Sequence, residues 1–275
     1  MKKLYSFSSI ILLAFLLSFN FSVSQAPTVQ SVTSFTTEGT KKIGDQIEVK
    51  IIFSESVTVT GTPTLTLETG SSDTVVNYSS GSPSTILTFV YTVQSGNTSS
   101  DLDYVGTSSL SANGGTIKAT DDGTNATLTL ASPGQNGSLG EAKDYVIDGV
   151  VPTSAITYSP SGPYKNGDTV TITSTFSEAM SDSPVPTIAI AGSGIANVTS
   201  TNMTKVSTTV YTYSYAVPTG DGTGTVTVGT GTDAAGNVVT STPTSGATFT
   251  VDNTAPTLTA VTQVSTPSND TTPSY

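Results

Sequence analysis

Gly44-Asp45-Gln46-Ile47-Glu48-Val49-Lys50-Ile51-Ile52-Phe53-Ser54-Glu55 is the stretch that decides the fold. A Gly-Asp turn signal opens it, and Ile47, Val49 and Ile51 then fall on one side of an extended chain. The run returns as Gly167-Asp168-Thr169-Val170-Thr171-Ile172-Thr173-Ser174-Thr175-Phe176-Ser177-Glu178, where Val170 and Ile172 alternate in the same way. Three more matches follow in order. Pro63-Thr64-Leu65-Thr66-Leu67 answers to Pro186-Thr187-Ile188-Ala189-Ile190, Phe89–Val93 to Tyr213–Val217, and Tyr145-Val146-Ile147-Asp148 to Phe249-Thr250-Val251-Asp252. Four matches in the same order indicate an internal duplication.

The units open alike, with Pro27-Thr28, Pro152-Thr153 and Pro256-Thr257. The sequence therefore predicts a first unit over 27–151, longer in its middle, a second over 152–255, and the start of a truncated third over 256–275. A repeat cut off after its first strand leaves an apolar face unburied, so the chain is expected to continue into further repeats in a longer protein. Alternation continues at Leu87 and Phe89, Leu128 and Leu130, Tyr213 and Tyr215, and Val226 and Val228. Asn113-Gly114-Gly115, Asp121-Asp122-Gly123, Asp221-Gly222 and Gly236-Asn237 punctuate the runs. No stretch after residue 24 carries a helical apolar stripe. The expected class is all-β, two tandem antiparallel sandwiches.

Lys2 and Lys3, the apolar run Ile10–Leu17 and the small residues Ser22, Ser24 and Ala26 form an export leader, predicted to end at Ser24. The apolar run is short for a membrane span, and nothing downstream resembles a transmembrane helix. A secreted or cell-surface location follows as the expectation. The 275 residues carry 20 acidic and 9 basic side chains, a net charge of −11, which argues against a nucleic-acid partner. There is no Cys, His or Trp. That composition removes disulfides, thiolate chemistry, the usual general base and the usual zinc ligand.

The Gly-Asp-x-Ile/Val…Phe-Ser-Glu openings, Asp-Ala-Ala-Gly-Asn at 233–237 and Val-Asp-Asn-Thr-Ala-Pro at 251–256 together resemble bacterial immunoglobulin-like (Ig-like) repeats. Such repeats occur in tandem in secreted and surface adhesin-type multidomain proteins. The resemblance implies a non-enzymatic spacer or adhesin segment, with a cell-surface glycan or protein as partner. Two alternatives stay open: a carbohydrate-binding accessory module, and the stalk of a larger secreted hydrolase.

Chain reversal at each strand of a sandwich brings the loop after the second strand and the loop before the last strand to one pole, where the incoming linker enters. For the second unit that pole collects Glu178 and Asp182 from one loop, Asp233 from the other with Asn237 nearby, and Asp148 from the linker. Converging carboxylates repel unless a cation lies among them, and Ca²⁺ takes six to eight oxygen ligands. Ca²⁺ at the domain junction is the candidate cofactor. Glu55, Asp121 and Asp122 are the expected counterparts at the equivalent pole of the first unit. Asp101 and Asp103 form a weaker candidate pair for glycosidase chemistry. Tyr104, Tyr158 and Tyr164 are candidates for stacking on sugars. No catalytic residue is assigned.

Overall fold

In the computed structural model residues 25–261 are described. The expected leader and the far end of the expected third repeat lie outside them. The first unit runs through β1 (Val29–Ser34), β2 (Lys41–Lys42), β3 (Gln46–Thr60), β4 (Thr64–Leu67), β5 (Thr74–Ser80), β6 (Ser84–Thr92), β7 (Thr98–Ser99), β8 (Leu110–Ser111), β9 (Thr116–Ala119), the short helix α1 (Leu139–Ala142) and β10 (Ile147–Asp148). The second runs through β11 (Ser154–Ser159), β12 (Thr169–Phe176), β13 (Thr187–Gly192), β14 (Val198–Asn202), β15 (Thr204–Lys205), β16 (Val210–Ala216), β17 (Gly222–Gly229) and β18 (Thr248–Val251).

The second unit is two four-stranded antiparallel sheets in the orders β11-β12-β16-β15 and β14-β13-β17-β18. In immunoglobulin lettering these are A-B-E-D and C′-C-F-G. The chain is thus all-β, with Ig-like antiparallel sandwiches in tandem. The period-two runs produce the two cores directly. Ile47, Val49 and Ile51 of β3 stand opposite Tyr91, Phe89 and Leu87 of β6, and all six are fully buried or nearly so. In the second unit Val170 and Ile172 of β12 face Tyr215 and Tyr213 of β16. Each such aliphatic side chain contributes about 1.5–3 kcal/mol on burial. Rings take the place that indole and disulfide would fill. Tyr215 lies 5.4 Å from Phe249, and Phe176 meets Tyr211 edge-on at 5.6 Å. The two clusters of buried residues are separate, one ending at Ile147 and the other starting at Ile156.

The first sandwich is less regular. β5 is shared, its first half pairing with β4 and its second half with β6, while the far end of β3 pairs with β9. Leu128 and Leu130, expected in a strand, lie instead in a loop with an isolated bridge at Thr127, although Leu130 is still buried. A helix appears where none was expected. Ser138 accepts from the Glu141 amide at 3.2 Å and caps a single turn that buries Leu139. One turn is too short to show a 3.6-residue period. Among the described residues no helix is long and apolar enough to cross a membrane.

Candidate metal centre at the domain joint

The joint is built from one pole of each domain. On the first domain, β2 and β10 run side by side, placing Lys42 next to Asp148. The turn after β2 is pinned by Asp45, whose carboxylate accepts from the Lys42 amide at 3.0 Å. Gly149 then turns the chain out. A Cβ there would lie 2.3 Å from the Gln94 carbonyl and 2.7 Å from that of Asn97, so only glycine fits.

On the second domain, the turn Asp233-Ala234-Ala235-Gly236-Asn237 meets this pole. Asp233 is buried, and one of its oxygens accepts from the amides of Gly236 at 2.7 Å and Asn237 at 2.9 Å. Its other oxygen accepts from the Asn237 side-chain amide at 2.9 Å. Gly236 has φ +98°, a conformation that the turn needs and glycine supplies. Held this way, Asn237 reaches across the joint. Its Oδ1 accepts from the Ile43 amide at 3.1 Å, and its Nδ2 donates to the Asp148 carbonyl at 2.9 Å. Asn237 is only 3% exposed, so both bonds are shielded from water.

Beside this bolt, one carboxylate oxygen each from Asp148, Glu178 and Asp233 come within 4.8 Å of one another. Asp148 belongs to the first domain, Glu178 and Asp233 to the second, so the cluster spans the joint. None of the ion pairs found among the described residues involves any of the three. Burial, and then the charges of Asp233 and Asp148, push the Glu178 carboxyl above its ordinary value. The donor set is entirely hard oxygen, which fits Ca²⁺ and not a metal that prefers nitrogen or sulfur.

The remaining site residues do not join this group. Asp182 is exposed, and its carboxylate is bonded to Lys205. At the first domain's entry pole Asp121 and Asp122 are exposed and serve their own turn, accepting from the amides of Asp122 and Thr124 at 2.8 Å each. Nor are they the counterparts of Asp233. Met180 bridges Asp233, and its equivalent Val57 pairs with Ala119. The Asp233 amide donates to the Asn237 carbonyl at 3.1 Å, and that of Ala119 donates to the Thr124 carbonyl at 2.8 Å. Ala119 and Thr124 therefore stand where Asp233 and Asn237 stand. Glu55 keeps the place of Glu178 but joins no such carboxylate group among the described residues. The joint group is the sole one of three or more metal-ligating side chains among the described residues.

Asp101 and Asp103 lie in a loop, not a strand, beside a cleft of about 350 Å³ that also takes in Glu68 and Tyr104. Asp103 is spent on the amides of Tyr104 at 2.8 Å and Gly134 at 2.9 Å. Burial, and then Asp144 and Asp103, raise the Asp101 carboxyl. Tyr158 and Tyr164 share a cleft of about 540 Å³ with Phe249 and Asp252. Both hydroxyls are already bonded to backbone carbonyls, of Gly246 at 2.6 Å and Pro160 at 2.8 Å. Tyr104 is buried and donates to the Ala131 carbonyl.

No family model matches the chain, and no curated protein matches it. Among solved structures, one described as "Putative membrane anchored protein" from Corynebacterium diphtheriae aligns at 15% identity and TM-score 0.29, over 87% of this chain and 55% of that one. A marsupial T cell receptor aligns at 11% identity and TM-score 0.23, over 71% of this chain and 57% of that one. The chain spans little more than half the length of either.

Proposed function

We propose that the chain is a non-enzymatic, extracellular segment of a surface-displayed protein, a tandem Ig-like spacer whose joint is stiffened by Ca²⁺. The observation that carries this reading is the convergence of Asp148, Glu178 and Asp233 across the domain boundary. Without a cation the three carboxylates oppose docking, while Asn237 favours it. With a cation both act together, and two domains that would pivot on a short linker become one rod. Bound Ca²⁺ would supply charge neutralisation there, and Asp148, Glu178 and Asp233 would hold it. The expected absence of His and Cys chemistry fits a role in which the chain positions other parts and does not react itself. Its expected partners at the surface are a glycan or a protein.

The test is calcium addition to chelator-treated protein, followed by calorimetry and by the distance distribution between spin labels on the two domains. The chain has no cysteine, so introduced pairs label cleanly. Calcium raises the second domain's melting temperature and narrows the distribution. If both stay unchanged, the reading is wrong. A second reading, the carbohydrate-binding module, is favoured by the aromatic cleft at Tyr158 and Tyr164, and a glycan array with Tyr158→Ala as control tests it.

A further inference from the structure

The far end of the second domain repeats much of the hydrogen bonding of the pole that the first domain presents to the joint. The Lys42 amide donates to the Asp45 carboxylate at 3.0 Å, and the Lys165 amide to that of Asp168 at 2.9 Å. The Gly44 amide donates to Val93 at 3.0 Å, and that of Gly167 to Val217 at 3.1 Å. The Val150 amide returns to the Asp148 carboxylate at 3.2 Å, and that of Thr254 to the Asp252 carboxylate at 2.9 Å. Pro152 follows Asp148, and Pro256 follows Asp252, at the same spacing. Each group that the first domain offers at the joint, the Ile43 amide and the Asp148 carbonyl and carboxylate, thus has a counterpart in Asn166 and Asp252.

The two poles differ in who occupies the amide. Ile43 donates to Asn237 Oδ1, which comes from the following domain. Asn166 donates to Asn253 Oδ1, which comes from the same domain. Asn253 stands where the first domain has Gly149, and it is tied to the Gly220 carbonyl and the Asp221 carboxylate. An asparagine amide oxygen sits on that N–H at both poles, and at the second one the domain supplies it from its own chain.

We propose that the pole formed by Asn166 and Asp252 is a docking surface for another domain of the second type, one carrying the Glu178, Asp233 and Asn237 set, with Asn253 as a place-holder that the incoming asparagine displaces. A domain of the first type does not fit, because Ala119 and Thr124 replace the aspartate and asparagine that make the contact. The array is therefore polar: second-type domains follow either type, and a first-type domain follows none. Two hydrogen bonds are few for association between free molecules. On a linker of a few residues the local concentration is about millimolar, so few contacts suffice. The proposal rests on the spacer reading and deepens it by naming the neighbour.

The test extends the chain from Pro256, with both domains and the native joint kept intact. A copy of residues 153–256 is appended after Pro256, which reproduces the native linker length. In a second fusion a copy of residues 28–152 is appended instead. Thr157→Cys, paired with the equivalent residue of the appended domain, reports on the new joint. Ser79→Cys with Thr157→Cys reports on the native one. The second-type fusion gives a distance distribution as narrow as the native joint, the first-type fusion a broad one, and Asn237→Ala in the appended copy broadens the former. Equal widths for the two fusions overturn the proposal. With calcium present, a loose new joint beside a tight native one overturns it alone, whereas looseness at both removes the spacer reading as well.

Discussion

At the entry pole of the first domain the Thr127 amide donates to the Pro27 carbonyl at 2.7 Å, and the Thr28 amide to the Ser54 hydroxyl at 3.0 Å. At the entry pole of the second the same bonds run from Thr240 to Pro152 at 3.0 Å and from Thr153 to Ser177 at 2.9 Å. The frame is shared down to its hydrogen bonds. What separates the poles is Ala119 against Asp233 and Thr124 against Asn237. Backbone bonds and the Ser hydroxyl hold the fold in both, so they say nothing about partners. Two side chains turn one of the poles into a joint. The difference shows that fold and docking are carried by different residues here and can be altered separately.

The largest effect that would break this separation lies in the cores. Ile172→Ala empties a fully buried site and costs the second domain about 2–5 kcal/mol. Calorimetry should show only the second domain's transition falling. A matching fall in the first would mean that the cores are not independent. Next comes Asn237→Ala, which removes both bonds across the joint and costs about 1–3 kcal/mol because the Ile43 amide and Asp148 carbonyl lose their partner. It should loosen the joint in spin-label distances, while Thr124→Ala at the corresponding place in the first domain should leave that distance unchanged.

Smaller is the effect of Glu178. Its folded-state carboxyl titrates above its ordinary value of 4.5, so the folded protein binds more protons than the unfolded one between those two points. Metal-free stability should accordingly rise as pH falls through the raised value, and level off below the ordinary one. Glu178→Gln should flatten that dependence, raise the metal-free melting temperature at neutral pH and diminish the calcium response. Calorimetry across pH, with and without calcium, checks all three. The least change is expected from Asp182→Asn, which removes an exposed ion pair with Lys205. Calcium binding and melting temperature should match those of the unaltered chain.

Much of this was legible before any coordinates. The duplicated Gly-Asp…Phe-Ser-Glu stretch shows both its turn and its period, and strand reversal then brings Asp148, Glu178 and Asp233 to one pole. Asp182 misled because nearness in sequence to Glu178 does not fix direction, and its loop carries it toward Lys205. Asp121 and Asp122 misled because the turn in the first domain is one residue longer than Asp233–Asn237. The ladder from Val57–Thr60 to Thr116–Ala119 settles the register, and pairing partners cannot be counted off one strand. The role of Asn237 was hidden for another reason. Its partners are the backbone of Ile43 and Asp148, and a backbone group leaves no mark in composition or spacing.

At the start and the finish of each domain, chain segments run parallel. Thr28 bridges Thr127 and β2 pairs with β10 in the first, and Ala155 bridges Ser245 and Tyr164 bridges Val251 in the second. Tension applied through the two ends pulls such neighbours in opposite directions along their own length. The bonds between them are then sheared as a set and not unzipped one after another, so each domain is expected to resist stretching between its two ends.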